Sequence, residues 1–268
     1  MKNKLQKHSE TERYYFEVQA EIGITKHMGG IKATEELIEL CNIDRDKYVL
    51  DVGCGVGITP CYLARKYGCK VVGIDIYERM IERSKERAKR EGVEDRVKFI
   101  VADVQNIPFE DNLFHAVIGE SITAFPEDKQ KAVNECVRVM NPGGYVGLNE
   151  CTWIKEKPPK ELVEYLFQSA GGVKLETPEG WGKLLENAGL KDIIVRPYRI
   201  NAITQWLDGI RRTGLIWILG GWCRVLRMYI TSPDQRKGIQ KMMIAAKNIT
   251  SAKNMFEYFG YGIYVGRK

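Results

Sequence analysis

A short apolar run closes on alternating glycines: Tyr48-Val49-Leu50-Asp51-Val52 leads into Gly53-Cys54-Gly55-Val56-Gly57. An apolar run of this length, bounded by turn residues, reads as a buried strand. Glycines at alternate positions let the backbone turn sharply and approach a ligand where a Cβ would collide. Helical spacing begins at Thr59, so the loop delivers a helix N-terminus whose free N–H groups attract anionic or polar groups. Taken alone the glycines also suit a plain turn, and only their neighbours along the chain distinguish the two.

Strands and helices alternate beyond the loop. Cys69–Asp75 reads as a second strand, Glu78–Glu91 as a charged helix, Val97–Val101 as a third strand and Ala116–Gly119 as a fourth. Lys129–Met140 is a helix stopped by Asn141-Pro142-Gly143-Gly144, and Tyr145–Asn149 is a fifth strand. Such alternation implies crossover connections and a parallel sheet covered on both faces. Asp75 closes the second strand, where a carboxylate can accept hydrogen bonds from two ribose hydroxyls or cap the helix beyond it. Asp103 comes after the third strand. Ligands of open α/β sheets bind at the carboxyl ends of the strands, so loop, Asp75 and Asp103 converge on one crevice.

With these residues in view, 48–149 resembles the class I S-adenosylmethionine-dependent methyltransferases, particularly the branch that methylates quinones, sterols and related small molecules. Asp51-Val52-Gly53-Cys54-Gly55 is similar to that family's first motif, and Gly73-Ile74-Asp75-Ile76 with Met80 to its second. Ala102-Asp103-Val104 with Ile107-Pro108-Phe109 and Asp111 resembles the third, and Val139-Met140-Asn141-Pro142-Gly143-Gly144 the motif before the fifth strand. The resemblance implies a Rossmann-like, mostly parallel seven-stranded sheet with helices on both faces, a helical insertion before the last strand, and S-adenosylmethionine as cofactor. It implies that Asp51 and the loop Gly53, Cys54, Gly55 and Gly57 hold the methionine part, and that Asp75 binds the ribose. Ile76 and Met80 would lie against the adenine, whose amino group Asp103 would receive, between Ala102 and Val104. His115 stands where the family usually has Phe-Asp; it is read as solvated. A nicotinamide enzyme usually spaces its glycines as Gly-x-Gly-x-x-Gly; here the third falls one residue early.

Methyl transfer from a sulfonium needs alignment and exclusion of water more than acid–base groups. Glu120, after the fourth strand, stands at the methyl-donor end in similar enzymes; it could accept a substrate proton, steady a cation, bind cofactor or cap the next helix. His27 is a second candidate base. Tyr14 and Tyr15, with the Gly29-Gly30 pair after them, suit a hinged lid or simple packing on the sheet. Trp153, Trp206, Trp217 and Trp222 are candidate pocket walls, with burial as core the alternative for Trp153.

Past Asn149 the pattern loosens. Helices are expected at Lys160–Ser169 and Pro178–Ala188, and strands at Lys191–Ile200 and 260–266, with more than fifty mostly helical residues between those strands. No linker separates a second domain. Residues 1–268 are expected to form one domain, with 1–45 a lid and helix, 46–155 the cofactor core and 204–258 a helical cap. The insertion is apolar from Gly214 to Cys223, too short for an ordinary transmembrane helix, and Ser232-Pro233-Asp234 starts another helix. It could pack on the core, form a homodimer contact, or cap a greasy substrate beside an anionic membrane surface.

Charge sharpens the question of partners. Residues 204–268 hold 11 Lys and Arg against three Asp and Glu, a balance of +8, which leaves −2 on the rest of a chain whose total is +6. A basic lobe raises the alternative of an RNA or DNA methyltransferase. Against it, the base-methylating Asn/Asp-Pro-Pro-aromatic tetrapeptide is missing and the basic residues alternate with long apolar stretches. A small, mainly hydrophobic substrate is the expectation; a cofactor-binding protein without turnover is a further alternative. Seven cysteines without a Cys-x-x-Cys pair, and three histidines, suit reduced thiols in a cytoplasmic protein with no metal and no evident arsenic-binding set.

Overall fold

β1 (Tyr48–Val52) has apolar side chains on both faces, Val49 on one and Leu50 and Val52 on the other, and all three are buried. A strand of this kind belongs in the middle of a sheet covered twice. The computed structural model describes residues 10–23, 28–169, 173–200, 214–247 and 255–268. Before β1 stand α1 (Glu10–Ile22) and α2 (Gly30–Leu40). After it come α3 (Ile58–Lys66), β2 (Lys70–Asp75), α4 (Glu78–Glu91), β3 (Val97–Val101), β4 (Phe114–Glu120), α5 (Lys129–Val139) and β5 (Met140–Trp153). The chain continues through α6 (Lys160–Ser169), α7 (Pro178–Asn187), β6 (Lys191–Arg199), α8 (Leu215–Thr231), α9 (Pro233–Lys247), α10 (Met255–Tyr258) and β7 (Phe259–Arg267).

The seven strands form one sheet in the order β3-β2-β1-β4-β5-β7-β6. Pairing is parallel from β3 across to β5, and β7 runs antiparallel to both neighbours. The winding reverses between β1 and β4, and that reversal opens the crevice at the strands' carboxyl ends. On one face Leu50, Val117, Leu148 and Tyr264 pack with Trp181 of α7. On the other, Val49, Ile118 and Ile263 meet Leu37 and Ile38 of α2 and Leu63 of α3. The fold class expected from the residue pattern is the one observed.

Local chemistry sets the boundaries. Gly92, at φ 67°, ends α4 in the left-handed conformation. Thr177 accepts from the Gly180 N–H ahead of α7, with Pro178 at the first helical position. One expectation is corrected. The Asn141–Gly144 stretch does stop α5, but its residues lie inside a long β5, aligned by a register shift opposite Phe114 and Ala116. Lys268 ties that segment down, its Nζ donating to the carbonyls of Val137 and Met140 at 2.8 and 2.7 Å. Within residues 1–45, α2 is embedded in the core through Leu37 and Ile38. β6 and β7 pair as a hairpin would, and the insertion leaves and returns where the hairpin turn would be.

Candidate functional site

Gly53, Gly55 and Gly57 take φ of 68°, 52° and 77°, the left-handed region that a side chain disfavours. A Cβ on Gly53 would collide with Ile122 of the loop after β4. The turn is therefore tight on both sides, and it faces Asp75. One oxygen of that carboxylate accepts from Gly55 N at 2.9 Å and the other from Tyr77 N at 2.9 Å. Burial pushes Asp75 up to about 6 despite these backbone N–H groups. Asp51 is buried too, and its carboxyl is raised well above the usual range by burial first, then by the charges of Glu120 and Asp75. Cys54 lies within this pocket with its thiol raised by burial and by Asp75, which makes it a packing residue.

On the far side of the crevice, Glu120 ends β4 and is buried. Its Oε1 accepts from the Thr59 hydroxyl at 2.7 Å, and its Oε2 from the Thr34 hydroxyl at 2.8 Å and Asn149 Nδ2 at 3.1 Å. The same Asn149 amide donates to the Met28 carbonyl at 2.8 Å. Residues of two helices and two strands are thus pinned to one carboxylate. Ser121 comes next at φ 59°, a conformation uncommon for serine, and its N–H donates to the Asn149 carbonyl at 2.8 Å. Glu150, on the opposite face of β5, accepts from Ile122 N at 2.9 Å and Thr123 N at 2.6 Å, so it sets the loop that closes on Gly53. Burial lifts Glu150 to about 7. Thr34, Thr59, Asn149 and Glu150 were not anticipated. The available signal was a polar pair, Asn149-Glu150, inside an otherwise apolar run.

Other anticipated residues fall around these two walls. Asp103 is half-buried and accepts from the Gln105 N–H at 2.8 Å, while Ala102 and Val104 pack against the core beside it. Ile76 adjoins Asp75, and Met80 is buried with Ala20, Val56 and Ile58 under α1. Phe16 of α1 lies 4.9 Å from Tyr77 and 5.2 Å from Phe125, so α1 reaches from the end of β2 to the loop after β4. Tyr14 and Tyr15 are buried, Tyr14 against Gly238 of α9. Gly29, at φ 74°, sits against the Tyr261 ring and starts α2. His115 is exposed as expected, yet its Nδ1 accepts from Tyr48 N at 3.0 Å and ties β4 to the start of β1. His27 and Trp206 lie outside the described residues, and of Trp217 only the backbone position in α8 is described.

α1 is held from two sides through one carboxylate. Glu21 is buried, pairs with Arg79 at 2.6 Å and with Arg83 of α4, and meets Arg224 of α8 at 3.2 Å. Burial would raise its carboxyl, but Arg79 and Arg83 pull it below the usual range. Gly221 lets α8 approach until a Cβ would fall inside the Ile22 backbone. Trp222, on the side of α8 away from that contact, is exposed. Trp153 lines a cavity of about 570 Å³ with Leu166, Phe167, Leu175, Lys160 and Lys174. The Lys174 N–H donates to the Ala124 carbonyl at 3.2 Å, which puts this cavity beside the loop after β4.

Comparison with known proteins bears on this crevice. A model described as a methyltransferase domain matches residues 49–144. The chain is 34% identical over 166 residues to phosphoethanolamine N-methyltransferase 1 of Zea mays, covering 62% of this chain and 32% of that one. It therefore spans about a third of the maize protein's length. The [4+2]-cyclase SpnF has a similar fold, with a TM-score of 0.71 at 19% identity over 91% of this chain and 88% of that one. So does a phosphoethanolamine N-methyltransferase of Haemonchus contortus solved with phosphomonomethylethanolamine and S-adenosylhomocysteine. Its TM-score is 0.67 at 18% identity, over 94% of this chain and 56% of that one. The segment that is similar to the methyltransferase domain is the one that carries the glycine loop and the acids of three successive strand ends.

Proposed function

We propose that this chain transfers the methyl group of S-adenosylmethionine to an oxygen, nitrogen or carbon nucleophile of a small, mainly hydrophobic molecule, quinone-, sterol- or lipid-like. The observation that carries the reading is the grouping of Asp51, Asp75 and Glu120 at the reversal between β1 and β4, with an apolar cavity next to the loop that follows β4. Asp51 is raised partly by its two acidic neighbours, and a ligand bearing an ammonium and a sulfonium relieves that repulsion. The donor set therefore fits the cofactor.

The glycine-loop backbone and Asp51 would hold the methionine part, and Asp75 the ribose hydroxyls. Asp103 would take the adenine amino group, with Ile76 and Met80 on one side and Ala102 and Val104 nearby. Bound there, the cofactor supplies a methyl group already activated as a sulfonium. Glu120 already accepts three hydrogen bonds, so its part is to favour positive charge at the donor end rather than to take a proton. Phe16 and the rest of α1 exclude water from above. Trp153, Leu166 and Phe167 offer an acceptor apolar contact, and Lys160, Lys174 and Glu164 bring charges of both signs to the cavity wall.

The maize relative's name raises phosphoethanolamine as a substrate, but a wall of tryptophan, leucine and phenylalanine suits a larger apolar body. Labelled-methyl transfer should be measured on quinones, sterols, fatty acids, phosphoethanolamine and tRNA. Transfer to an apolar acceptor, lost in Asp75→Ala, is the expected result. Transfer confined to phosphoethanolamine or to tRNA overturns the substrate class, and cofactor binding without any transfer overturns the activity.

A further inference from the structure

α8 has two apolar faces, and the fold uses one of them. Gly221 and Val225, one turn apart, are buried where the helix meets α1. Ile216, Leu219, Trp222, Leu226 and Ile230 recur at three- and four-residue steps along another side and are exposed, from 55% at Trp222 to 83% at Ile216. Large apolar side chains in a continuous exposed row mark a contact surface. α8 holds no acidic residue, and its charged groups are Arg224 and Arg227. Arg224 is turned toward Glu21, whereas Arg227 is exposed next to Leu226. Lys237, early in α9, is exposed as well.

We infer that this face of α8 lies on an anionic lipid surface, with Ile216, Leu219, Trp222, Leu226 and Ile230 inserted at the headgroup boundary and Arg227 and Lys237 against the lipid phosphates. An apolar row with a tryptophan and a basic margin is the form of helix that lies in such an interface. The balance of +8 over residues 204–268 adds attraction to a negative leaflet. At 17 residues α8 lies on the surface rather than crossing it, and among the described residues no helix is long and apolar enough to span a membrane. Charge also argues against a second copy as the occupant. The α8 of a second copy would offer Arg227 no acid to pair with, whereas lipid phosphates would. Docking here is independent of which acceptor is methylated, because the face lies outside the cofactor crevice.

The test uses the full chain without cofactor and measures co-sedimentation with phosphatidylcholine vesicles containing about 30 mol% phosphatidylglycerol. Binding is expected, at least about tenfold weaker to phosphatidylcholine alone and similarly weakened by salt on the order of 0.5 M. Leu219→Glu with Leu226→Glu should abolish binding while the melting temperature and S-adenosylhomocysteine affinity stay unchanged. Arg227→Gln provides a milder variant, expected to weaken binding severalfold. No binding to the anionic vesicles, or binding that both variants retain, overturns the inference. A concentration-dependent dimer that Leu219→Glu with Leu226→Glu dissociates assigns the face to a second copy and overturns it equally.

Discussion

The hydroxyl of Thr59, in the first turn of α3, donates to Glu120 at the end of β4 across 2.7 Å. This bond spans the winding reversal of the sheet and joins the helix delivered by the glycine loop to the opposite wall of the crevice. Thr59→Val keeps the shape and removes the donor, leaving a buried carboxylate oxygen short of a partner at a cost of about 1–3 kcal/mol. Both the melting temperature and the S-adenosylhomocysteine affinity measured by calorimetry should fall. Unchanged values for both would show that the bond does not hold the site.

With Asp75 in the proposed ribose-binding role, the cofactor affinity is expected to depend on pH. Its carboxyl in the free protein sits at about 6, and the charged form is the one suited to accepting from ribose hydroxyls. Affinity is therefore full above that value and declines as pH falls through it, by at most about tenfold per unit. Asp75→Asn should bind more weakly at neutral pH and lose most of this slope. A wild-type affinity that stays flat from about pH 5 to pH 8 contradicts the assignment.

Glu150 links stability to pH with a definite sign. It sits at about 7 in the folded protein, against 4.5 for the unburied group. Between those values the folded chain holds a proton that the unfolded chain has released, so this carboxyl makes stability fall as pH rises through the window. The loss is about 3 to 4 kcal/mol at most. Glu150→Gln still accepts from Ile122 N or Thr123 N but does not titrate. Denaturant titrations at about pH 5 and pH 8 should show a smaller difference for the variant. An equal difference in both proteins removes Glu150 from the explanation.

Gly221 permits the close approach of α8 to α1. In Gly221→Val the new side chain meets the Ile22 backbone, and overpacking of this kind typically costs about 1–3 kcal/mol. The cost should appear locally. Hydrogen exchange is expected to quicken across α1 and α8, while the strands around Trp181 stay protected. Uniform exchange rates in wild type and variant would mean that the two helices are not held by this contact.

Legibility in the sequence differed sharply between the two walls of the crevice. Asp75 and the glycines sit at strand ends, and the alternation of strands with helices is enough to bring those ends together. Glu120 was visible as a strand-end acid, but Thr34, Thr59 and Asn149 were not, because three isolated polar residues from distant segments carry no periodicity. Glu150 was hidden for a different reason. It lies in an apolar strand next to Asn149, and alternation sends the two side chains to opposite faces with separate tasks.

What the sequence by itself determined was the layered fold and its crevice, because apolar period, glycine spacing and acids at strand ends are local features that a parallel sheet brings together; the cofactor followed from the resemblance of those motifs. It also set the charge balance of the C-terminal lobe. Tertiary structure alone decided that α2 is core while α1 is held between α4 and α8, that Glu21 gathers arginines from both, and that one face of α8 is used while the row through Trp222 is left exposed. Both faces of α8 are apolar in sequence, and hydrophobicity has no direction. Only the close fit of Gly221 against Ile22 chooses which side turns inward.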